Sequence, residues 1–508
     1  MRSELIGLVA AAGLVSAAVA AVVTTPAVAA VVTAPATRAA PSTAPSTAPS
    51  TAPSTGPSPA AIDAYLRRTM KSTGLPGMSV VVTHRDRVVL ARGYGHDADG
   101  EPVTETTPMR VASVSKSFTA MAVMTLVDDG RLSLDEPVAG RLREFRMADP
   151  RAGRITVRQL LNQTSGLSDT TVDIGATQAA TSLAGYVSAL GTGTLAADPG
   201  THWEYCNVNY DLAARLVEVV GGQGFGDYMR RHVFGPLGMT GSAVGARSVA
   251  DRAIKPAEGF DSVYGAWVAR PEPPGFRDGG SGGVVTDAAD MGRWLIGQNG
   301  HGRPPVTPQS LRTMHAPSEV RDYGMGWGQE TVGGARLLVH SGNLFTYTAV
   351  QAIAPDTGYG FAVMTNSAAL YDDTYDVLTG LVAMSEGGTP EVPGGGRQTY
   401  ELALGLIAVA AAGLGVLGVL RSRRWAGRRA GSAGLWTGAR LLPALLPAAL
   451  FAAYPELISL LMNGRTVTWA QLTYFAAPLT ITFAVAAAAG AVTTVVRLAR
   501  LRSVVSHK

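Results

Sequence analysis

The sequence predicts an α/β protein of the α+β type, with one antiparallel sheet flanked by helices and an inserted helical region, followed by three transmembrane helices. Three observations support this fold class. Strand-like segments occur at both ends of the central region, strong helical patterns lie between them, and three long apolar segments come after it. The chain has 508 residues, which is enough for more than one domain.

The first 59 residues contain two segments that are not expected to join a folded domain. Residues 1–29 have the pattern of a signal peptide, with Arg2 before a long apolar run and small residues at Ala27 and Ala29. The run is also long enough to span a membrane, so an uncleaved anchor is the alternative. Residues 30–59 repeat Ser, Thr, Ala and Pro, and we expect a disordered, extended linker there because regular prolines prevent a helix.

Residues 60–385 have the mixed composition of a globular domain. Cys206 is the only cysteine, so this domain must be stabilised by an ordinary core rather than by a disulfide within the chain. Helical patterns follow Ser113 and cover 211–220. The predicted strands are 77–83, 87–91, 336–340, 348–353 and 360–365.

The stretch from Ser113 to Lys116 is the first candidate for chemistry. Residues three positions apart share a helix face, so the amine of Lys116 is expected beside the hydroxyl of Ser113. A serine becomes nucleophilic when a neighbouring base accepts its proton, and a partly desolvated lysine can be that base. The alternative is a helix cap followed by an exposed lysine, so the pattern needs partners elsewhere.

Two later spots are candidate partners. Tyr205 and Asn207 follow a turn and precede a helix, and they offer a phenol for proton transfer and an amide for binding a carbonyl or the lysine. His340, Gly342 and Asn343 lie where a strand ends, beside which a substrate backbone can lie, and the Asn343 amide is a candidate oxyanion donor together with that of Ser113. Taken singly, each has an ordinary alternative: a packing aromatic, a loop cap or a strand-end histidine.

The three spots together, in this order, resemble the serine β-lactamase and penicillin-binding-protein family. The closest likeness is to its class C β-lactamase-like branch, which includes D-Ala-D-Ala carboxypeptidases, D-aminopeptidases and esterases. The S-x-x-K motif matches Ser113 and Lys116, the Y-x-N motif matches Tyr205 and Asn207, and the K-T-G or H-x-G motif matches His340 to Gly342. Supporting stretches at 160–167, 234–239, 280–286 and 323–328 are similar too.

The resemblance implies a β-lactamase/transpeptidase-like fold and an acyl-enzyme on Ser113, with Lys116 and Tyr205 moving protons and Asn207 positioning a small-molecule or peptide substrate. It implies no cofactor, and the motif residues contain no plausible metal-ligand cluster. His340 stands where most classical β-lactamases have lysine, and a neutral imidazole holds an anion less firmly. This departure favours a peptidase or esterase over antibiotic hydrolysis.

Beyond a Gly/Pro linker at 386–401, three apolar segments are predicted to cross the bilayer: 402–420, 435–455 and 469–496. Arginines cluster between the first two segments and after the third, which places those parts in the cytoplasm and the catalytic domain outside the cell membrane. Helices buried in a soluble domain are the alternative. The cluster also accounts for the net charge of +4, so no nucleic-acid partner is expected.

Two functions remain open from the sequence. The first is a membrane-anchored serine hydrolase that acts on peptide, amide or ester carbonyls. The alternative is a sensor or binding module, which forms a lasting adduct with a cell-wall fragment or a β-lactam and signals through the three spans. The complete set of motif residues favours the enzyme.

Overall fold

A computed structural model describes residues 56–245, 254–273, 275, 279–430, 434–462 and 465–505. The predicted signal at 1–29 and the linker at 30–59 up to residue 55 lie outside these ranges. The helices of the central domain are α1 (Pro59–Thr73), α2 (Ser115–Asp128), α3 (Val157–Leu161), α4 (Ile174–Gln178), α5 (Leu183–Ser188), α6 (Val208–Gly221), α7 (Phe225–Met229), α8 (Gly235–Leu237), α9 (Ala288–Gln298), α10 (Pro308–His315) and α11 (Asp373–Ser385).

A six-stranded antiparallel sheet lies at the centre of the domain, and its strand order is β2-β1-β11-β10-β9-β8. Two small sheets, β3-β7-β4 and β12-β5-β6, lie beside it. The strands are β1 (Gly77–His84), β2 (Arg87–Gly95), β3 (Met109–Arg110), β4 (Ala243–Val244), β5 (Gly259–Val263), β6 (Ala266–Arg270), β7 (Val284–Thr286), β8 (Gly328–Val332), β9 (Ala335–Leu344), β10 (Tyr347–Ala354), β11 (Tyr359–Thr365) and β12 (Ser367–Ala368).

Both faces of the sheet are covered, because successive side chains of a strand point to opposite faces. On β1, Val80 and Val82 join a core with α1 and α11, whereas Val81 joins a larger core with α2, α6 and α9. Each predicted strand lies within an observed one, and the segment between β2 and β8 is mostly helical. The predicted fold class is therefore confirmed.

Helix α2 is buried on all sides and is fixed against the sheet by specific contacts. Phe118 stacks on Trp294 of α9 with ring centroids 3.8 Å apart. Directly before Phe118, Ser117 Oγ accepts a hydrogen bond from Gln351 of β10 at 2.9 Å. A helix held this way by a packed core gives the residues at its beginning little freedom to move.

The C-terminal region contains apolar helices that are long enough to cross a membrane. Within the described residues, two helices meet this criterion, and there are three crossings if a pair bent by 66° counts as one span. The bend lies before Pro455, which lacks a backbone donor and interrupts the helix. The helices are α12 (Gly396–Leu420), α13 (Ser422–Gly427), α14 (Gly434–Ala439), α15 (Leu442–Ala452), α16 (Tyr454–Leu461), α17 (Trp469–Phe475) and α18 (Ala477–Val505).

The first apolar helix begins at Gly396, inside the predicted linker 386–401, because its first turns make polar contacts with the central domain. Arg397 is buried, donates to Ser262 Oγ and lies with its Cζ 4.2 Å from the Trp267 ring centroid. Its charge is 3.8 Å from the equally buried Glu401. Hydropathy alone does not indicate that these two charged residues dock the helix onto the domain.

We expect Arg397→Ala to destabilise the protein by about 3–5 kcal/mol, because it leaves the buried Glu401 without its cationic partner. Denaturant unfolding of the full chain in detergent, followed by tryptophan fluorescence, measures this loss. Arg67→Ala is the control, since Arg67 pairs with Asp63 at the surface and its removal should cost less than about 1 kcal/mol. Equal costs for the two variants would contradict the docking role of Arg397.

Candidate active site

Ser113 and Lys116 are brought together at the start of α2. Ser113 lies in a 3₁₀ turn, Ala112–Val114, that leads directly into the helix. Lys116 has no solvent exposure, and burial of an amine is costly unless oxygen atoms surround it. Its Nζ donates to three oxygens: Ser113 Oγ at 3.0 Å, the Asn207 amide Oδ1 at 2.9 Å and the Ser281 carbonyl at 2.9 Å.

The backbone around the nucleophile is strained and tightly approached. Ala112 has a φ of +46°, a left-handed conformation that non-glycine residues rarely adopt outside functional sites. A Cβ placed on Gly342 of β9 would lie 2.2 Å from the Val111 carbonyl oxygen and 2.8 Å from the Ser113 amide nitrogen. The strand therefore reaches the Ser113 amide only because residue 342 is glycine.

The edge of β9 beside Ser113 is open. Strand β8 pairs with β9 only from Ala335 to Val339, so the segment from His340 to Leu344 has no strand partner on that side in the described sheet. An extended substrate backbone can add to such an edge. The Asn343 side-chain oxygen is buried without a hydrogen-bond partner, which is a polar group still to be satisfied at this edge.

Tyr205 and Asn207 reach the same centre from the loop before α6. Asn207 contacts Lys116 directly, as described above. For Tyr205 the ring is the part that approaches, because its centroid is 4.7 Å from Lys116 Nζ. No hydrogen bond joins the Tyr205 hydroxyl to Ser113 or to Lys116, all three being described residues, so proton transfer through the phenol requires a small rotation or a bridging substrate group.

Gln163 holds this loop in place, a role that the sequence did not indicate. It has a φ of +59° and is buried. Its side-chain oxygen accepts from the Cys206 amide at 3.1 Å and from the Asn209 side chain at 2.6 Å. The polypeptide on both sides of Cys206 is thereby anchored to the 160–167 stretch. The similarity of the 160–167 stretch to the family was the sequence signal that this segment supports the site.

Ser281 and Asp211 form a second support that sequence reasoning missed. The Asp211 carboxylate accepts from the Ser281 amide at 3.0 Å and from its hydroxyl at 3.1 Å. These bonds orient the Ser281 carbonyl towards Lys116. Burial raises the pKa of Asp211, and the bonds from Ser281 and the nearby Lys116 charge act in the opposite direction.

His340 is buried and neutral rather than a cation facing the cleft. Burial, together with the charge of Lys116, lowers the pKa of His340 to about 3. Its Nδ1 donates to the Ser341 carbonyl at 2.7 Å, which leaves Nε2 to accept from the Tyr323 hydroxyl at 3.1 Å. Both ring nitrogens thus have partners within the protein, and the ring centroid is 6.2 Å from that of Tyr205.

The sheet, the buried amine and its serine together have the arrangement typical of the serine β-lactamase and penicillin-binding-protein family. The Beta-lactamase family matches residues 62–381, which is more than half of the chain, and the chain belongs to this family.

Curated relatives are similar over the catalytic domain. Protein flp of Staphylococcus aureus (strain MW2) is 29% identical over 326 residues, 61% of this chain and 63% of that protein. The chain thus spans less than two thirds of that relative. Penicillin-binding protein 4 of Amycolatopsis lactamdurans is 30% identical over 341 residues, 61% of this chain and 86% of that protein.

Two solved structures share the fold. The octameric penicillin-binding protein homologue from Pyrococcus abyssi has a TM-score of 0.56 at 24% identity, covering 65% of this chain and 78% of that one. The Beta-Lactamase/D-Alanine Carboxypeptidase from Pseudomonas syringae has a TM-score of 0.54 at 20% identity, covering 64% and 97%. At these identities the likeness establishes the fold.

We expect Gly342→Ala to slow acylation of Ser113 by about 100-fold, because the added methyl displaces β9 from the nucleophile by an appreciable fraction of an ångström. The rate of labelling by a fluorophosphonate measures this. Gly140→Ala is the matched control, since a Cβ there meets open space. Unchanged labelling of the Gly342 variant would show that β9 does not shape the site.

The neutral state of His340 predicts a dependence of stability on pH. Its pKa is about 3 in the folded protein and about 6.5 when unfolded, so the unfolded chain binds more protons as the pH falls from 6.5 towards 3. Stability is therefore lost over that window. When the pH is lowered from 7 to 4, the free energy of unfolding of the wild type should fall by on the order of 3 kcal/mol more than that of His340→Gln, as measured by denaturant unfolding. Parallel losses in both proteins would contradict a neutral buried His340.

Proposed function

We propose that this protein is a membrane-anchored, extracytoplasmic serine hydrolase that acts through an acyl-enzyme on peptide, amide or ester carbonyls. The observation that carries the proposal is the 3.0 Å hydrogen bond between Lys116 Nζ and Ser113 Oγ inside a buried network. A base in direct contact with the nucleophile is what activation of a serine requires.

The proton steps follow from these contacts. In its neutral form, Lys116 donates to Asn207 and to the Ser281 carbonyl and uses its lone pair to accept the Ser113 proton. Ser113 Oγ then bonds to the substrate carbonyl carbon, and the carbonyl π electrons move to its oxygen. The electrons of the oxyanion then re-form the carbonyl as the bond to the leaving group breaks, and that group takes the proton that Lys116 had accepted, for which Tyr205 is the proposed carrier. Water then releases the acyl group by the same route.

Stabilisation of the oxyanion is assigned to the backbone amides of Ser113 and Asn343. The support is the close approach of Gly342 to the Ser113 amide, together with the open edge of β9. Two such donors aimed at a developing charge are worth several kcal/mol in acyl transfer. Asn207, which already contacts Lys116, is proposed to position the substrate amide.

The substrate class rests on the site and on the names of related proteins. The neutral, fully bonded His340 offers no cation from the position where many relatives carry lysine. This favours peptidase or esterase activity over β-lactam hydrolysis. Structural neighbours named for activity on amides and peptides, such as the D-amino acid amidase from Ochrobactrum anthropi SV3, agree with this choice.

The location outside the membrane rests on charge and on helix order. Arginines lie between α12 and α15 and again near the end of α18. Such residues are retained on the cytoplasmic side, which leaves the catalytic domain and the loop between α16 and α17 on the outer side. The signal pattern at 1–29 supports the same orientation.

A sensor that keeps its acyl group is the second candidate, and the buried contacts of Arg397 with the catalytic domain favour it. These contacts connect the domain directly to a membrane helix, which is a route for a signal. Intact-mass measurement after addition of a reactive ester separates the candidates. An enzyme shows a transient adduct with continued product release, whereas a sensor keeps a stoichiometric adduct.

We expect Ser113→Ala to abolish the fluorophosphonate adduct and to lower hydrolysis of a nitrophenyl ester by about 10³-fold or more, because the nucleophile is lost. Ser133→Ala is the control, since Ser133 is exposed on a distant turn. If the Ser113 variant and the control label equally, the nucleophile is another residue and the proposed mechanism is wrong.

A further inference from the structure

The catalytic centre has no cation of its own to hold an anionic substrate. Among the described residues at its centre, the Lys116 amine is surrounded by three protein oxygens with which it forms hydrogen bonds, and His340 is neutral. A cation for the cleft therefore has to come from its rim. The structure places one there from an unexpected part of the chain, the loop between α16 and α17.

Arg465 belongs to this loop, and its guanidinium carbon lies 5.3 Å from the centroid of the Tyr205 ring. The same ring is 4.7 Å from Lys116 Nζ, so a single aromatic side chain contacts both the catalytic amine and Arg465. Arginine is well suited to this position, because its guanidinium stacks on aromatic rings while its N–H groups stay available to an anion.

The loop that carries Arg465 is held against the catalytic domain. Thr466 Oγ1 donates to the Asp169 carbonyl at 3.0 Å, and Val467 N donates to Ser459 Oγ at 3.0 Å. Thr468 then caps α17 with a reciprocal hydrogen-bond pair. The guanidinium is therefore presented from a fixed backbone, which limits the entropy lost on binding a ligand.

A second contact fixes α17 against the opposite wall of the cleft. Phe345 is at the turn between β9 and β10, and its ring centroid lies 5.2 Å from that of Tyr474 and 5.9 Å from that of Phe475. Helix α17 thus contacts the turn at the end of β9, the strand beside Ser113. It also follows directly after the loop whose Arg465 contacts Tyr205.

The charge around Arg465 leaves it able to bind an anion. Its nearest acid is Asp169, at 3.9 Å, the outer limit of an ion pair. The Arg465 side chain is 31% exposed and that of Asp169 only 11%, and the Asp169 carboxylate also accepts from the Cys206 thiol at 3.4 Å. The cation, which stacks on Tyr205, is thus the more exposed group of the pair, whereas the acid is engaged with the protein.

We propose that Arg465 of the membrane region binds a carboxylate on the substrate and so determines specificity at the Ser113 site. The inference rests on the proposed function, because the bound group is the acyl substrate of that site. The carboxylate replaces Asp169 as the closer partner of the guanidinium through paired N–H···O bonds, which planar carboxylate and guanidinium groups form readily. No covalent step at Arg465 is involved.

The test compares two thioesters that differ by one charge, the N-acetylalanyl thioesters of mercaptoacetate and of mercaptoacetamide. Thiol release by the full chain in detergent is measured for the wild type, Arg465→Gln and Arg465→Lys. We expect Arg465→Gln to lower kcat/KM for the mercaptoacetate thioester, which bears the carboxylate, by about 10- to 100-fold, as for loss of a charged hydrogen bond. The kcat/KM for the neutral mercaptoacetamide thioester should change less than about threefold. Arg465→Lys should retain part of the preference for the carboxylate-bearing thioester.

Arg67→Gln is the charge-matched control, since Arg67 lies on α1 beyond the other face of the sheet and is exposed. Arg67→Gln should leave the ratio of kcat/KM for the two thioesters at its wild-type value. If Arg465→Gln slows both esters equally, the loop only supports the structure. If it slows neither, Arg465 does not contact substrate. Either result overturns the inference.

Failure of the proposed function is detected separately. If Ser113→Ala hydrolyses both esters as fast as the wild type, Ser113 is not the nucleophile, and that proposal falls. The inference is then judged by binding alone, from titration calorimetry with non-hydrolysable ketone analogues of the two thioesters, in which a CH₂ group replaces the sulfur. The proteins compared are Ser113→Ala and the Ser113→Ala/Arg465→Gln double variant. A preference for the carboxylate analogue that disappears in the double variant supports Arg465, and equal affinities of Ser113→Ala for the two analogues reject it.

Discussion

Burial of the Lys116 amine is the constraint on which the site depends. A buried amine is tolerated only when oxygen atoms replace water around it. Its three partners are Ser113, Asn207 and Ser281, which come from a 3₁₀ turn, a loop before α6 and a loop before β7. Three distant parts of the chain must therefore meet at one nitrogen, and any one of them out of place leaves a polar group unsatisfied.

The residues that bond to Lys116 are held in place by other residues, which themselves form no hydrogen bond with the Lys116 amine. Gln163 holds the Tyr205–Asn207 loop through Cys206 and Asn209, and Asp211 holds Ser281 by its amide and hydroxyl. A site built this way keeps its geometry without bound substrate, because each oxygen is oriented before the reaction begins. Such preorganisation is the main source of catalytic power in polar active sites.

The sequence predicted what depends on short separations and on periodicity. The pairing of Ser113 with Lys116 follows from one helical turn, and the strands follow from short apolar runs bounded by turn residues. The supports Gln163 and Asp211 were not predicted, because residue type alone does not reveal which distant backbone a buried side chain will bond. Nor does a sequence show the positive φ of Ala112 before the nucleophile, since alanine rarely adopts it.

The family resemblance was the part of the sequence argument that reached across long separations, and the family match at 62–381 shows that it was sound. Hydropathy located the apolar segments but missed the polar start of α12 at Arg397, because Arg397 and Glu401 both lower the local hydropathy, and the scale does not register that they pair with each other in the fold. It also missed the bend before Pro455: the predicted segment 435–455 ends at this bend, whereas the bent pair continues through α16 to Leu461.

The membrane region and the catalytic domain are docked rather than merged. The two cores around the sheet draw their buried side chains from residues before α12, whereas α12 and α16–α18 form a separate apolar cluster of their own. The domain therefore has the core of an independent folding unit. Yet the loop bearing Arg465 and the ring of Phe345 connect the membrane helices to both sides of the cleft. If the proposed roles of Ser113 and Arg465 hold, chemistry and substrate selection reside in different units, and a change in the loop bearing Arg465 alters the choice of substrate while the Lys116 network stays intact.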